Sequence, residues 1–98
     1  MDFITFVKKE NVKRAEELLK KDDITARESI NIRDAKALGL NHDGSIFYIS
    51  GTDHGVEKCK EVLKEFMVEI DSKELHKAKE KIKEEEEKAA EGFGGIFS

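Results

Sequence analysis

The side chains able to do chemistry gather at two predicted turns and on one late helix. His42 and Asp43 stand in the first turn, Asp53 and His54 in the second, and His76 lies further on. Imidazoles and carboxylates at loop ends are ligands for a metal ion or partners in acid–base catalysis. The close spacing typical of metal sites, a His pair four apart or paired cysteines, does not occur. We therefore interpret these residues as turn formers and helix caps, and predict no catalytic residue, no metal site and no cofactor.

The single cysteine, Cys59, is the candidate nucleophile. It stands between Val56 and Leu63 on an apolar stripe at helical spacing, and the sequence places no base beside it. We predict a small buried packing group. One cysteine excludes an intramolecular disulfide and indicates a reducing, cytoplasmic environment.

A strand-to-helix turn, SGTDHG, is the candidate ligand site. The free N–H groups at such a helix start can bind an anion. The phosphate-loop lysine and the dinucleotide-binding glycine spacing are both missing, and turn chemistry with helix capping also explains the stretch. On the ligand-binding interpretation, a small anionic metabolite contacts Ser50, Gly51, Thr52, Asp53 and Gly55.

The charge of the chain is unevenly distributed. The formal net charge is −4, and residues 84–98 account for all of it, with five acids against one base. This balance argues against nucleic acid as a partner, because nucleic-acid binding needs a net basic footprint. The early part of the chain is nevertheless basic, and we interpret it as a solvated face, with an RNA-contacting patch as the alternative. Its basic residues are Lys8, Lys9, Lys13, Arg14, Lys20 and Lys21.

Composition places the chain among globular proteins with a heavily charged surface. Of its 98 residues, 38% are hydrophobic and 41% charged, which suits one domain with a modest core. Lysine and glutamate dominate while proline and tryptophan are absent, a bias typical of proteins from hot-living prokaryotes, including archaea. The N-terminal stretch MDFITFVKKE has no signal-peptide pattern, and no apolar run is long enough to span a membrane.

The first seventy residues carry a series of strand and helix patterns. DFITFVKK carries apolar side chains on both alternating faces, Phe3 with Val7 and Ile4 with Phe6, and predicts a strand in the middle of a sheet. Asn11 then suits the N-cap of a helix that runs to about residue 21.

The stretch after this helix has two interpretations. Ile30 and Ile32 alternate with polar residues and predict a half-buried strand. Residues 33–39 then form either a short helical turn stopped by Gly39, or a continuation of the strand into a hairpin at residues 41–44.

The second half repeats the strand–helix–strand pattern. SIFYISG is the strongest strand, Thr52 or Asp53 caps a helix with an apolar stripe, and Met67 to Ile70 form a last short strand. The order matches the split βαβ, ferredoxin-like arrangement, an α+β fold in which a four-stranded antiparallel sheet packs two helices on one face. We expect this domain to cover residues 1–71.

A charged third helix follows the predicted domain. Asp71 is its cap, with Glu74 as a capping-box partner, and its apolar positions are sparse, at Leu75, Ala78 and Ile82. Lysines crowd its start and glutamates its end, which opposes the helix dipole. We predict an exposed stalk over residues 72–87 that frays beyond Glu87.

The last residues combine acids, glycines and bulky apolar groups. Phe93, Ile96 and Phe97 stand at i, i+3 and i+4 and would share one helical face. Three glycines in the same stretch make that helix unstable alone. We predict a flexible tail over residues 88–98 that orders only in the hydrophobic groove of a partner.

This end, EEEEKAAEGFGGIFS, resembles the C-terminal tail of the archaeal and eukaryotic acidic ribosomal stalk proteins. Those tails have a glutamate-rich run, small residues, a glycine, a bulky apolar residue, two small residues and an aliphatic–Phe pair. In that family the tail captures translational GTPase factors. The resemblance implies a translational GTPase as partner, with Phe93, Ile96 and Phe97 as anchors after an acidic lead-in of Glu84, Glu85, Glu86 and Glu87. Residues 1–83 carry no such resemblance.

Two functions remain open at the level of sequence. In the first, the chain is a non-enzymatic adaptor whose tail docks on another protein. In the second, it is a ferredoxin-like regulatory domain that binds a small anionic metabolite, with the tail packed on its own fold or in a homodimer. An inert tail is a further alternative.

Overall fold

The fold is described by a computed structural model, which gives the backbone of residues 1–97 and the side chains of residues 1–87. Strands and helices follow the predicted order of strand, helix, strand, strand, helix, strand and a third helix, with short 3-10 turns at Thr25–Arg27 and Lys36–Leu38. The strands are β1 (Asp2–Lys8), β2 (Ser29–Asp34), β3 (Gly44–Ser50) and β4 (Met67–Val68); the α-helices are α1 (Lys9–Lys21), α2 (Asp53–Leu63) and α3 (Ser72–Phe97).

The four strands form one antiparallel sheet in the order β2-β3-β1-β4. This is the predicted α+β, ferredoxin-like order, and the prediction is confirmed. β1 pairs with β3 over its whole length, whereas it pairs with β4 only at Phe6 and Val7. β2 and β4 are therefore the edges of the sheet.

Each face of the sheet packs against its own helices. On one face, Val7, Phe47 and Ile49 are fully buried with side chains of α1 and α2, including Leu19 and Cys59. The opposite face carries the alternate strand residues, as the two-sided apolar pattern of β1 predicts. Those residues include Ile4, Phe6, Ile46 and Tyr48.

α3 covers this second face, which corrects the expectation of a free stalk. Ala78 and Ile82 are completely buried against the sheet, and Leu75 packs at the margin of the same cluster. Their spacing places all three on one side of the helix. The charged side chains of α3 mostly face outward, so the helix is exposed along its outer surface but is part of the fold.

The N-termini of α1 and α2 are capped differently. α1 begins at Lys9, directly after β1, and its cap position is Lys8 without a side-chain hydrogen bond, so the predicted cap at Asn11 is wrong. The chain turns into the helix where the strand ends, which places Asn11 inside the first turn. The cap of α2 is Thr52, whose Oγ1 accepts a hydrogen bond from the Gly55 amide at 3.1 Å. Here the predicted capping is confirmed.

The connection between β2 and β3 is a 3-10 turn and not an extended hairpin. β2 ends at Asp34, and the turn stops at Gly39, whose φ of 86° lies in the left-handed region that favours glycine. The helical-turn interpretation of residues 33–39 is therefore right. The turn buries Leu38 and Leu40 in the cluster under α3.

α3 is helical through Phe97. The side chains of residues 88–98, and with them the anchors Phe93, Ile96 and Phe97, lie outside the described residues. The tail's flexibility and its docking role stay predictions.

Candidate functional site

The SGTDHG turn holds an anion that comes from the chain itself. The Glu28 carboxylate accepts a hydrogen bond from the Thr52 amide through Oε2 and one from the Thr52 hydroxyl through Oε1, each at 3.1 Å. Glu28 lies at the end of the 3-10 turn before β2, where its amide donates to the Thr25 carbonyl. A carboxylate at a helix start is stabilised by free N–H groups and the helix dipole.

The two glycines of this turn make room for Glu28. A Cβ at Gly51 or at Gly55 would overlap the carboxylate, and Gly51 has a positive φ of 154°. The structure thus brings together the predicted ligand-binding residues Ser50, Gly51, Thr52, Asp53 and Gly55, but Glu28 occupies the position that a small anion would take. Sequence reasoning did not find Glu28, because it lies 24 residues before Thr52.

Two of the three histidines form separate pairs with glutamates. His42 Nε2 lies 2.7 Å from Glu74 Oε2, and His76 Nε2 lies 3.0 Å from Glu80 Oε1. Glu74 thus binds His42 in addition to its place in the first turn of α3. Within residues 1–87, no group of three or more His, Cys, Asp or Glu side chains could hold a metal ion.

Asp43 has its own partner, an exposed lysine. Lys36 Nζ lies 2.8 Å from Asp43 Oδ1. The hydrogen bond between the two raises the pKa of Lys36 and lowers the pKa of Asp43. Asp53 lies at the opposite end of the sheet, 3.9 Å from the Met1 amino group. These contacts are local ion pairs and offer no shared acid–base centre.

Cys59 is a packing group, as predicted. Its side chain is fully buried in the cluster under α1 and α2, and burial raises the pKa of its thiol to about 11. A thiol with so high a pKa is almost entirely protonated near neutral pH and is a poor nucleophile.

Polar contacts hold the middle of α3 on the sheet. Lys79 Nζ lies 3.0 Å from Asp2 Oδ2, and the Tyr48 hydroxyl donates to the same oxygen at 2.9 Å. The hydrogen bond from Lys79 lowers the pKa of Asp2 most, and the hydrogen bond from Tyr48 lowers it further. Burial, with the hydrogen bond to Asp2, raises the pKa of Tyr48 from 10.0 to about 12. Lys81 Nζ donates to the Leu38 carbonyl at 2.7 Å.

The acidic run at residues 84–87 reaches the β2 edge. Asn31 Nδ2 donates to Glu86 Oε1 at 2.8 Å, and Arg33 Nε lies 3.3 Å from Glu85 Oε2 without hydrogen-bond geometry. Two of the four acids predicted to meet a partner therefore contact the chain's own edge strand. All four glutamate side chains, Glu84 to Glu87, are nevertheless exposed.

The basic residues of the early chain are solvated. Lys8, Lys9, Lys13, Arg14, Lys20 and Lys21 are all exposed, and Lys20 forms an ion pair with Glu16 at 2.8 Å.

The fold defines the class of protein: an α+β domain with ferredoxin-like strand order and a third helix on the second face of its sheet. No family model, curated protein or solved structure matches the chain. Within the described part of the chain, none of the helices combines the length and apolar character that a membrane span requires.

Proposed function

We propose that the chain is a small non-enzymatic binding protein that docks its C-terminal segment, residues 88–98, into a hydrophobic groove of another protein. One observation carries this proposal. Residues 1–87 already cover both faces of the sheet, one with α1 and α2 and the other with α3.

The covered sheet weakens the alternative in which the tail packs on its own domain. Among the described residues, the large hydrophobic side chains that are exposed are Met1 and Ile24, at 48% and 38%. Isolated exposed groups of this size are normal and do not make a docking patch. The described residues thus offer Phe93, Ile96 and Phe97 few exposed large hydrophobic side chains to pack against.

The contacts of α3 define where the segment starts. The helix is held to the sheet as far as Glu86, which contacts the β2 edge, so the segment begins beside a fixed acidic run. Burying three apolar side chains yields roughly 5–9 kcal/mol, while ordering about seven backbone residues of the predicted flexible tail costs about 1–2 kcal/mol each. The balance favours a weak complex that depends on attraction between the acids and a basic rim, and is therefore sensitive to salt.

The resemblance of residues 84–98 to the acidic stalk tails supports a translational GTPase factor as the partner. The buried, unpaired thiol of Cys59 fits a reducing compartment, and the cytoplasm is the location we propose.

The test compares the full-length chain with the double variant Phe93→Ala/Phe97→Ala in binding to a purified archaeal translational GTPase, measured by fluorescence anisotropy at two salt concentrations. We expect the double variant to lose binding and keep the thermal midpoint of the parent, with Ser98→Ala as a matched control that keeps both. If the double variant also unfolds at a lower thermal midpoint than the parent, these side chains pack in their own fold instead.

The metabolite-binding alternative has less support. A small anion at the SGTDHG turn must first displace Glu28 from Thr52, because the carboxylate already occupies the amide and the hydroxyl. A metabolite that stabilises the Phe93→Ala/Phe97→Ala variant and the parent equally would favour it.

A further inference from the structure

β2 is an edge strand, and no strand among the described residues pairs with its outer side. The Ala35 amide donates to the Gly44 carbonyl at 2.9 Å, just beyond the ladder in which Asp34 faces Ser45. In an antiparallel ladder, alternate residues direct their backbone groups to the same neighbour. The backbone groups of residues 29, 31 and 33 therefore face β3, and those of Ile30, Ile32 and Asp34 face away from the sheet.

The two faces of this edge differ in chemistry. On the side of α1, Ile30 and Ile32 are half-buried and form, with Leu19, the apolar floor of a groove of about 340 Å³ between α1 and β2. On the side of α3, Asn31 and Arg33 lie beneath Glu86 and Glu85. The first face thus has an apolar floor in a groove that Glu16 and Lys20 also line, and the second carries Arg33 and Asn31 beneath two acids.

We propose that β2 accepts an extended segment of a partner protein as a fifth strand, and that this segment alternates apolar with basic residues. Added strands take their affinity from main-chain hydrogen bonds and their specificity from alternate side chains. Because successive side chains point to opposite faces, the apolar residues of such a strand enter the groove beside Ile30 and Ile32. Its lysines or arginines meet the run from Glu84 to Glu87.

The charge of the edge selects against a second copy of this chain. Antiparallel pairing of β2 with β2 around a two-fold axis perpendicular to the sheet keeps the α3 side of both copies on one face of the joined sheet. The acidic runs of the two copies would then face each other across the axis, and like charges in that position are destabilising. A basic partner strand removes this repulsion.

This site is separate from the docking of residues 88–98, because it uses the backbone of β2 and side chains within residues 16–87. The probe is a fluorescent seven-residue peptide that alternates lysine with valine. The expected result is protection from hydrogen exchange at the amides of Ile30, Ile32 and Asp34, and no new protection at residues 29, 31 and 33, which already face β3.

Peptide controls separate strand addition from plain charge attraction. A peptide of the same composition with its lysines and valines in separate blocks tests the alternation, and an alternating peptide with N-methylated backbone tests the main-chain bonds. We expect each to bind at least roughly tenfold more weakly. The block peptide cannot place its valines and lysines on opposite faces, and the methylated peptide loses main-chain hydrogen bonds, of which one or two are enough for that change.

Protein variants test the edge itself. Ile32→Pro removes an outward-facing N–H and leaves the ladder to β3, while Ile32→Ala removes the same packing and keeps the N–H. We expect binding to be lost only with proline. Glu85→Gln/Glu86→Gln should weaken binding several-fold at low salt, whereas Glu57→Gln/Glu61→Gln, an equal charge change on α2, should not.

Three results would overturn the proposal: equal binding of the block peptide, protection at Ile30 and Ile32 that appears without peptide as the protein concentration rises, or retention of binding by Ile32→Pro. The Phe93→Ala/Phe97→Ala variant should bind the peptide like the parent. GTPase binding by this variant therefore tests the docking of residues 88–98, and peptide binding separately tests the β2 edge.

Discussion

Glu28 and Thr52 form a two-point contact in which one carboxylate binds both a backbone amide and a hydroxyl, each at 3.1 Å. The contact ties the start of β2 to the start of α2, although the two residues are far apart in the chain. It also explains why glycine occupies positions 51 and 55, since a side chain at either would collide with the carboxylate.

A mutant cycle on this contact should be strongly non-additive. Gly55→Ala in the parent protein should be destabilising by about 1–3 kcal/mol, because the new methyl group displaces the Glu28 carboxylate from Thr52. In a Glu28→Ala background the methyl group meets no carboxylate, and the same change should be neutral or stabilising by up to about 1 kcal/mol, since alanine favours a helix over glycine. Denaturant unfolding of the four proteins measures the coupling.

Equal effects of Gly55→Ala in both backgrounds would mean that Glu28 does not fill the turn.

Ile82→Ala should show that α3 belongs to the cooperative core. Ile82 is fully buried against the sheet, so its truncation should be destabilising by about 2–5 kcal/mol. Thermal unfolding should register this as a loss of about 4–8 °C in Tm for each kcal/mol. Glu84→Ala, on the exposed part of the same helix, is the control and should stay within about 0.5 kcal/mol of the parent. An unchanged Tm for Ile82→Ala would restore the free-stalk interpretation.

Tyr48 is the chain's single tyrosine, so alkaline absorbance titration reports it alone. The phenol should ionise with a pKa of about 12, because burial and the hydrogen bond to Asp2 both disfavour the anion. Since the folded pKa lies above the unfolded value of 10.0, stability from this group is complete below pH 10 and is lost as the pH rises toward 12.

The variant Asp2→Asn separates the two causes of that shift. It removes the negative charge beside the phenol and leaves the burial, so the pKa of Tyr48 should fall but remain above its ordinary value. A titration curve that does not move would assign the whole shift to burial.

The Cys59 thiol should be inert in the folded protein. Its full burial and its pKa of about 11 predict that a disulfide reagent at mildly alkaline pH reacts only on unfolding. The rate of modification should rise to that of a free thiol in denaturing guanidinium. Rapid labelling without denaturant would contradict the buried position.

Local patterns in the sequence predicted the strands and the central helices, because their signals lie within a few residues. The two apolar faces of β1 and the stop at Gly39 are of this kind. The same reasoning misplaced the start of α1, since strand pairing with β3 extends β1 to Lys8 and leaves Asn11 within the helix.

Contacts between distant parts of the chain were beyond local reasoning. His42 and Glu74, 32 residues apart, give no shared pattern in the sequence. The packing of α3 was missed for another reason: its apolar positions are few. Ala78 is small enough to let the helix approach the sheet closely, so one isoleucine and one leucine complete the contact. A sparse stripe therefore did not mean an unattached helix.

The position of α3 in chain order has a consequence for synthesis. All four strands precede it, so a growing chain can complete the sheet while Phe6, Ile46 and Tyr48 still lack the helix that shields them. Until residues 72–86 leave the ribosome, the nascent protein exposes this apolar face of the sheet and is prone to aggregate. Newly made chains should therefore depend on chaperones until α3 has been made and packs on the sheet.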